Sequence, residues 1–114
     1  AFSMVVSNSL LHHLHDPAVL WRAVAQLGAP GAFVYIQDLH RPASAEAVEA
    51  LVVSQTEGAP EVLRRDYRAS LHAAFTLEEV REQLERAGLG AQLQVAPRQE
   101  RYLEVWGRLG QAWS

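Results

Sequence analysis

The sequence contains neither cysteine nor lysine. Without cysteine, disulfides, thiol catalysis and cysteine-ligated metal sites are excluded. The ten basic residues, all arginine, are outnumbered by thirteen acidic ones and form no block or stripe, which disfavours a nucleic-acid partner. No apolar run approaches the roughly 20 residues that a membrane-spanning helix needs. A membrane partner is therefore not expected, and a cytoplasmic location is the default expectation.

The composition is that of an ordinary globular protein. The 114 residues suffice for one domain, with 49% hydrophobic and 20% charged residues. We therefore treat residues 1–114 as a single domain. The first residues already have the composition of a strand, which suggests a short gene or the loss of an upstream segment.

The amino-terminal third predicts a strand, a helix and a second strand. Residues 2–7, from Phe2 to Ser7, are mainly apolar and β-branched and do not alternate regularly, which is typical of a buried strand. Asp16 and Pro17 are suited to start a helix, because aspartate accepts bonds from free backbone N–H groups and proline fits the first turn. Residues 32–36 form the second apolar strand. A strand-helix-strand order implies a parallel, right-handed crossover.

The remainder predicts three helices followed by two strands. Ser44 can cap a helix over residues 45–55, a second helix covers about 61–74, and Thr76 with Glu79 forms a capping box. Residues 91–96 and 102–108 alternate between polar and apolar side chains and are separated by a short loop, as in an antiparallel hairpin. The predicted fold is therefore α/β, with a mixed sheet of about four strands, a closing hairpin and flanking helices.

Several segments, in order, resemble parts of the class I S-adenosylmethionine (SAM)-dependent methyltransferases. The segment MVVSNSLLHHLHDP is similar to the fourth strand of that family and the Leu-His-His turn after it. The segment LGAPGAFVYI resembles the family's Leu-x-x-Pro-Gly-Gly turn into the fifth strand, with Ala32 in place of the second glycine. Two later pieces resemble the helix before the sixth strand and the seventh strand: FTLEEV through AGL, and the Trp106-Gly107 ending.

The resemblance implies the carboxy-terminal half of a Rossmann-like methyltransferase fold, with SAM as cofactor. The family's glycine-rich turn after the first strand and the acidic residue ending the second strand have no counterpart in the sequence. The one Gly-x-Gly pattern, Gly88-Leu89-Gly90, follows a helix and precedes a strand, which is the wrong context for a cofactor turn. We therefore expect the cofactor-binding amino-terminal half to be absent.

The candidate cofactor-binding residues are Ser7, Asn8 and Ser9, at the carboxyl end of a predicted parallel strand. Ligands bind at this end of the strands in open α/β sheets. The resemblance implies that Ser7 and Asn8 lie beside the methionine part of SAM. The alternative is a polar turn that satisfies its own backbone.

The candidate catalytic residues are His12 and His13. The resemblance implies that they line the active-site side of the family's fourth strand, which is the first strand of this chain, where an imidazole can act as a base or orient an acceptor. The alternative is a partly buried histidine that caps the following helix. A metal site formed with His15 and Asp16 is disfavoured, because consecutive histidines diverge and Asp16 is already suited to capping.

Two further groups of residues have both a functional and a structural interpretation. Those at the end of the second strand are either substrate contacts or a polar strand end: Asp38, His40 and Arg41. Those on the helical insertion either cover a substrate or form a solvated helix face: Arg64, Arg65, Asp66, Tyr67 and His72.

Two functions remain open. The first is a SAM-dependent methyltransferase acting on a small molecule, which is expected to be inactive as this chain alone. The second is a non-catalytic interaction module derived from half of such a domain. Because the strand from Phe2 to Ser7 would have an unpaired apolar edge, we expect self-association across it, as a two-fold homodimer.

Overall fold

A computed structural model describes residues 2–8, 10–99 and 101–110, apart from the side chain of His12. The elements in chain order are β1 (Phe2–Asn8), a 3-10 turn (Leu11–His13), α1 (Ala18–Leu27), β2 (Gly28–Leu39), α2 (Ala45–Gln55), α3 (Glu61–Ala73), α4 (Leu77–Arg86), β3 (Leu93–Arg98) and β4 (Tyr102–Arg108). The predicted order of strands and helices is confirmed, with a 3-10 turn added between β1 and α1.

The four strands of the described residues form one mixed sheet in the order β1-β2-β4-β3. Strands β1 and β2 run parallel and are joined by α1, as the strand-helix-strand pattern predicts. Strand β4 is antiparallel to both of its neighbours, and β3 with β4 forms the closing hairpin. Because β1 and β2 are parallel, their carboxyl ends meet at the same edge of the sheet.

Helices α1 and α4 cover one face of this sheet and enclose the main core. Alternate residues of β2, Val34 and Ile36, are fully buried there. Trp21 of α1 is also fully buried, and its indole N–H donates to Gln83 Oε1 of α4 at 3.0 Å. The apolar body of this side chain is thus packed in the core while its one polar group is satisfied, as buried tryptophan requires.

The opposite face of the sheet carries a second apolar surface, which no described helix covers. The register places Met4 opposite Phe33, and Val6 opposite Tyr35. These side chains alternate with the buried ones and therefore lie on the other face. Phe2, Met4 and Val6 are 59%, 58% and 60% exposed. The expectation that β1 is buried is wrong for this chain, because β1 pairs with β2 alone and only one of its faces is packed.

The open face of the sheet carries charged and hydrogen-bonded side chains on one side, and uncharged side chains on the β1 side. Tyr35 of β2 donates its hydroxyl hydrogen to Glu104 Oε2 of β4 at 2.8 Å, and Arg98 of β3 lies 3.3 Å from the same oxygen. The hydrogen bond to Glu104 raises the pKa of Tyr35. Strand β1, in contrast, contains no charged residue. The β1 side of the open face is therefore the part that is easiest to desolvate.

Helices α2 and α3 form a separate layer at the carboxyl ends of β1 and β2. They pack around a second buried cluster that includes Leu39, Val52 and Leu71. Arg68 of α3 makes two hydrogen bonds to the Glu49 carboxylate of α2, at 2.7 and 3.0 Å. A bidentate pair of this kind fixes the relative rotation of two helices better than a single contact does.

The largest boundary difference lies at the start of β2. The segment from Gly28 to Gly31 is predicted as a turn, yet β2 begins at Gly28, directly after α1. The pairing with β1 shifts register between Phe2 and Met4, so this segment is an irregular start of the strand. Gly31 has a φ of 80° and its N–H donates to Leu109 O at 2.9 Å, a conformation that glycine adopts without strain.

The capping box of α4 is confirmed. The Thr76 hydroxyl accepts from the Glu79 N–H at 3.2 Å, and the Glu79 carboxylate accepts from the Thr76 N–H at 2.9 Å.

We expect Thr76→Ala to lower the free energy of unfolding by about 1 kcal/mol, because a backbone N–H loses its partner. Thermal denaturation followed by circular dichroism measures this loss. Thr76→Ser, which keeps the hydroxyl, should change little, and an unchanged stability of Thr76→Ala would contradict the expectation.

Candidate functional site

The predicted polar tip of β1 lies at the carboxyl edge of the parallel pair. Ser7 is opposite Ile36 and Asn8 is opposite Gln37, so both lie near the end of β2. Ser7 is half-buried and Asn8 is exposed. Ser9 lies outside the described residues. Two of the three candidate cofactor-binding residues are therefore located where ligands bind in open α/β sheets.

A single 3-10 turn, Leu11–His13, follows this tip. The Leu11 side chain is buried in the main core, and the Leu14 N–H closes the turn by donating to Leu11 O at 3.1 Å. His13 lies in the turn with an exposed side chain. His12 lies in the same turn, but its side chain is outside the described part of the structure. Asp16 stabilises the start of α1, because its carboxylate accepts from the Ala18 N–H at 3.0 Å.

Asp38 fixes this turn to the end of β2. Its side chain is 1% exposed, and its carboxylate accepts from the Leu11 N–H at 2.6 Å and from the Leu39 N–H at 2.8 Å. A carboxylate buried to this degree must be hydrogen-bonded, because desolvating an unpaired charge is costly. Asp38 therefore links the turn after β1 to the end of β2, and its contacts support the structural interpretation of this residue.

His40 and Arg41 extend away from the 3-10 turn, toward the start of α4. The His40 N–H donates to Arg101 O at 2.8 Å, and Arg41 lies 3.1 Å from Glu79 in an ion pair. Burial lowers the pKa of His40. Its side chain borders a groove that Thr76 and Arg81 also line, and His13 is not among the lining residues of that groove.

The remaining candidate residues lie on different faces of helix α3. Tyr67 packs against the cluster between α2 and α3, and burial raises its pKa. Arg64 lies 3.9 Å from Glu61 on the same helix. Asp66 lies on a different face and lines a groove with His13. Asp66 thus shares a groove with a predicted catalytic histidine.

The groove between the 3-10 turn and α3 has a cavity volume of about 370 Å³. It is lined by five residues: His13, Asp66, Ala69, Ser70 and Ala73. The four residues from α3 follow the spacing i, i+3, i+4 and i+7, which is one face of a helix. Sequence reasoning missed Ala69, Ser70 and Ala73, although this spacing marks them as one surface with Asp66.

The described residues also bear on metal binding and on membrane insertion. No group of three or more histidine, aspartate or glutamate side chains is placed to hold a metal ion there. Among the described helices, none combines the length and the apolar character needed to span a membrane.

Comparison with known proteins relates this fold to methyltransferases. No protein-family model and no curated protein sequence matches the chain. The plantazolicin methyltransferase BpumL, crystallised with a triazolic desmethylPZN analog and SAH, superimposes with a TM-score of 0.68 at 14% identity, over 96% of this chain and 53% of its own. A SAM-dependent methyltransferase from Aquifex aeolicus superimposes with a TM-score of 0.55 at 16% identity, over 93% of this chain and 45% of its own.

The chain thus spans about half the length of the solved structures that it matches. Its β1-α1-β2 crossover followed by helices and an antiparallel hairpin matches the order that the sequence resemblance implies. The described residues therefore have the fold of the carboxy-terminal half of a class I, Rossmann-like methyltransferase.

Proposed function

We propose that the chain supplies the carboxy-terminal half of a SAM-dependent methyltransferase that acts on a small molecule. The observation that carries the proposal is the superposition, over 96% of the chain, on an enzyme crystallised with SAH. The location of Ser7, Asn8 and the 3-10 turn at the carboxyl edge of two parallel strands supports it, because ligands bind at that edge in open α/β folds.

The residues of the chain fit only part of a SAM site. Ser7 and Asn8, at the tip of β1, would border the cofactor. Gly28 and Gly31, however, lie at the amino end of β2, and Gly88 follows α4. In the described residues, no glycine-rich turn follows the carboxyl end of a strand. The backbone cradle for SAM would therefore come from the remaining half of the fold.

The contribution of this chain to such a reaction is placement of the acceptor. SAM, when bound, supplies an activated methyl group, so rate enhancement depends mainly on holding the acceptor atom in line with it. His13, exposed on a turn that Asp38 fixes, can orient the acceptor or accept its proton. The burial of Leu11 limits movement of that turn.

Calorimetry tests this proposal with two proteins. The first is this chain alone, and the second is the longer polypeptide obtained by reading the natural gene upstream in frame. We expect the longer polypeptide to bind SAM and SAH in the micromolar to millimolar range typical of enzyme substrates, and this chain alone to give no heat at millimolar cofactor. An upstream region without a strand and glycine-rich turn, or a longer polypeptide that does not bind SAM, would contradict the proposal.

A second candidate function is supported by the apolar surface of β1. Phe2, Met4 and Val6 are each more than half exposed on an edge strand, which natural proteins usually protect. We propose that the isolated chain associates with a second copy of itself through this strand. In the complete fold, the remaining half would cover the same surface. Light scattering at tens of micromolar should therefore report a dimer for this chain and a monomer for the longer polypeptide.

A further inference from the structure

Three buried side-chain polar atoms of the described residues have no hydrogen-bond partner: Arg64 Nε, Tyr67 Oη and Arg101 Nε. Arg64 and Tyr67 are three residues apart on α3 and therefore lie on the same face of that helix. Arg101 lies in the loop between β3 and β4, directly before Tyr102, and both Tyr102 and Tyr67 pack against the cluster between α2 and α3. We call this contact between α3 and the loop the α3–loop junction.

The three atoms at this junction can all act as hydrogen-bond donors. The Nε–H of an arginine can only donate, and a tyrosine hydroxyl can donate or accept. Leaving a buried donor without an acceptor is costly, so folded proteins contain few such atoms, and a bound water or ion commonly explains them. Burial raises the pKa of Tyr67, and the nearby charge of Arg101 opposes this rise. The junction therefore favours a ligand that supplies acceptor atoms.

The positive charge of Arg101 is not neutralised within the described residues. Its guanidinium carbon lies 5.0 Å from the centre of the Tyr102 ring, and none of the ion pairs among the described residues includes it. Stacking on an aromatic ring orients a guanidinium group but leaves its charge in place. Arg64 lies 3.9 Å from Glu61, whose side chain is 77% exposed, and such an exposed pair is weak. The junction thus favours an anion over a neutral acceptor.

Solvent reaches Arg101 through an open groove of about 200 Å³ that Leu51, Gln55 and Gln99 also line. Leu51 is buried, whereas the two glutamine side chains are exposed and can donate from their amides. Among the described residues that line this groove, none is acidic. A small anion can therefore approach the guanidinium without meeting a lining carboxylate.

We propose that the α3–loop junction binds a small oxyanion, a carboxylate or a phosphate group. The ligand accepts hydrogen bonds from the Arg101 guanidinium and the Tyr67 hydroxyl, and Arg64 adds positive charge. Because the hydroxyl is enclosed, binding requires a new rotamer of Arg101, a common change at binding sites that leaves the strands in place. This site goes beyond the proposed function, since it needs neither SAM nor a methyl acceptor.

Nuclear magnetic resonance titration of this chain with sodium acetate and with sodium phosphate, at constant ionic strength, tests the proposal. We expect saturable amide shifts at residues 64–68, 99, 101 and 102 with at least one of the two anions. A response to acetate alone identifies a carboxylate as the ligand, a response to phosphate alone identifies a phosphate group, and similar responses identify an oxyanion site without preference. No saturable shift at these residues with either anion would overturn the proposal.

Two variants at the junction and one matched control sharpen the test. Arg101→Gln removes the charge and should weaken anion binding by about tenfold or more. Tyr67→Phe removes only the hydroxyl and should weaken binding by about threefold. It should not lower the free energy of unfolding, because this hydroxyl has no partner in the unliganded chain. Arg22→Gln removes an exposed arginine of α1 and should leave the affinity within about twofold.

The variants also give results that would contradict the site. Unchanged affinity in Arg101→Gln would overturn the proposal. An equal loss of affinity in Arg22→Gln would also overturn it, because binding would then depend on net charge alone. If Arg101→Gln does not fold, Tyr67→Phe decides the matter, since unchanged affinity in this variant would exclude the hydroxyl as a donor to the anion.

Discussion

Replacing Asp38 with alanine is expected to lower the free energy of unfolding by about 2–4 kcal/mol. The carboxylate is 1% exposed and accepts from the N–H groups of Leu11 and Leu39. Alanine would leave these donors unsatisfied, and each buried unsatisfied donor costs roughly 1–3 kcal/mol. Chemical denaturation measures the loss. Amide hydrogen exchange should show faster exchange at Leu11, because this amide donates directly to Asp38.

Two comparison variants separate this effect from a general loss of charge. Asp38→Asn retains an oxygen acceptor of similar size and should be destabilised less than Asp38→Ala. Asp16→Ala also removes a carboxylate that accepts from a backbone N–H, that of Ala18, but at an exposed position. Its cost should be about 1 kcal/mol, since water can satisfy the donor. Equal losses in Asp16→Ala and Asp38→Ala would contradict the role assigned to burial.

The sequence predicts most of the secondary structure of this chain because its local signals are strong. The bounds of α2 agree with the prediction, since Ser44 accepts from the Ala47 N–H at 3.1 Å as an N-cap should. Strands β3 and β4 follow from alternation, and Val95 and Val105 are buried as that pattern requires. Each of these features depends on residues close together in the chain, so the sequence contains the information to find them.

Features that depend on distant residues were not predictable in the same way. The bond between Asp38 and Leu11 joins positions 27 residues apart, and no periodicity links them. The exposure of β1 likewise depends on which strands and helices are present to cover it. An apolar run indicates a strand but does not say whether both of its faces are packed.

The candidate site was likewise predictable from the sequence only where it depends on residues close together in the chain. The tip of β1 and the turn with His13 were located from the local pattern of a strand followed by polar residues. That His13 and Asp66 would line one groove was not predictable, because it depends on how α3 packs beside the 3-10 turn. The helical spacing of residues 66, 69, 70 and 73 defines a face, but not its neighbour.

Charged substitutions on β1 are expected to prevent self-association of this chain. Met4→Arg combined with Val6→Arg places two cations per protomer on the surface that the proposed dimer buries. A two-fold contact brings four of them together, and desolvating and opposing these charges should raise the dimer dissociation constant by at least about 100-fold. Analytical ultracentrifugation over a range of concentrations measures the change.

The matched control is Val53→Arg on α2. Val53 is 61% exposed, close to the 60% of Val6, but it belongs to the helical layer and not to the open sheet face. If association depends on exposed apolar area in general, Val53→Arg will weaken it as much as Val6→Arg alone does. If it depends on the edge and open face of β1, Val53→Arg will leave the dimer intact. A wild-type chain that is monomeric at tens of micromolar would contradict the dimer itself, and the open face would then be the surface that the remaining half of the fold covers.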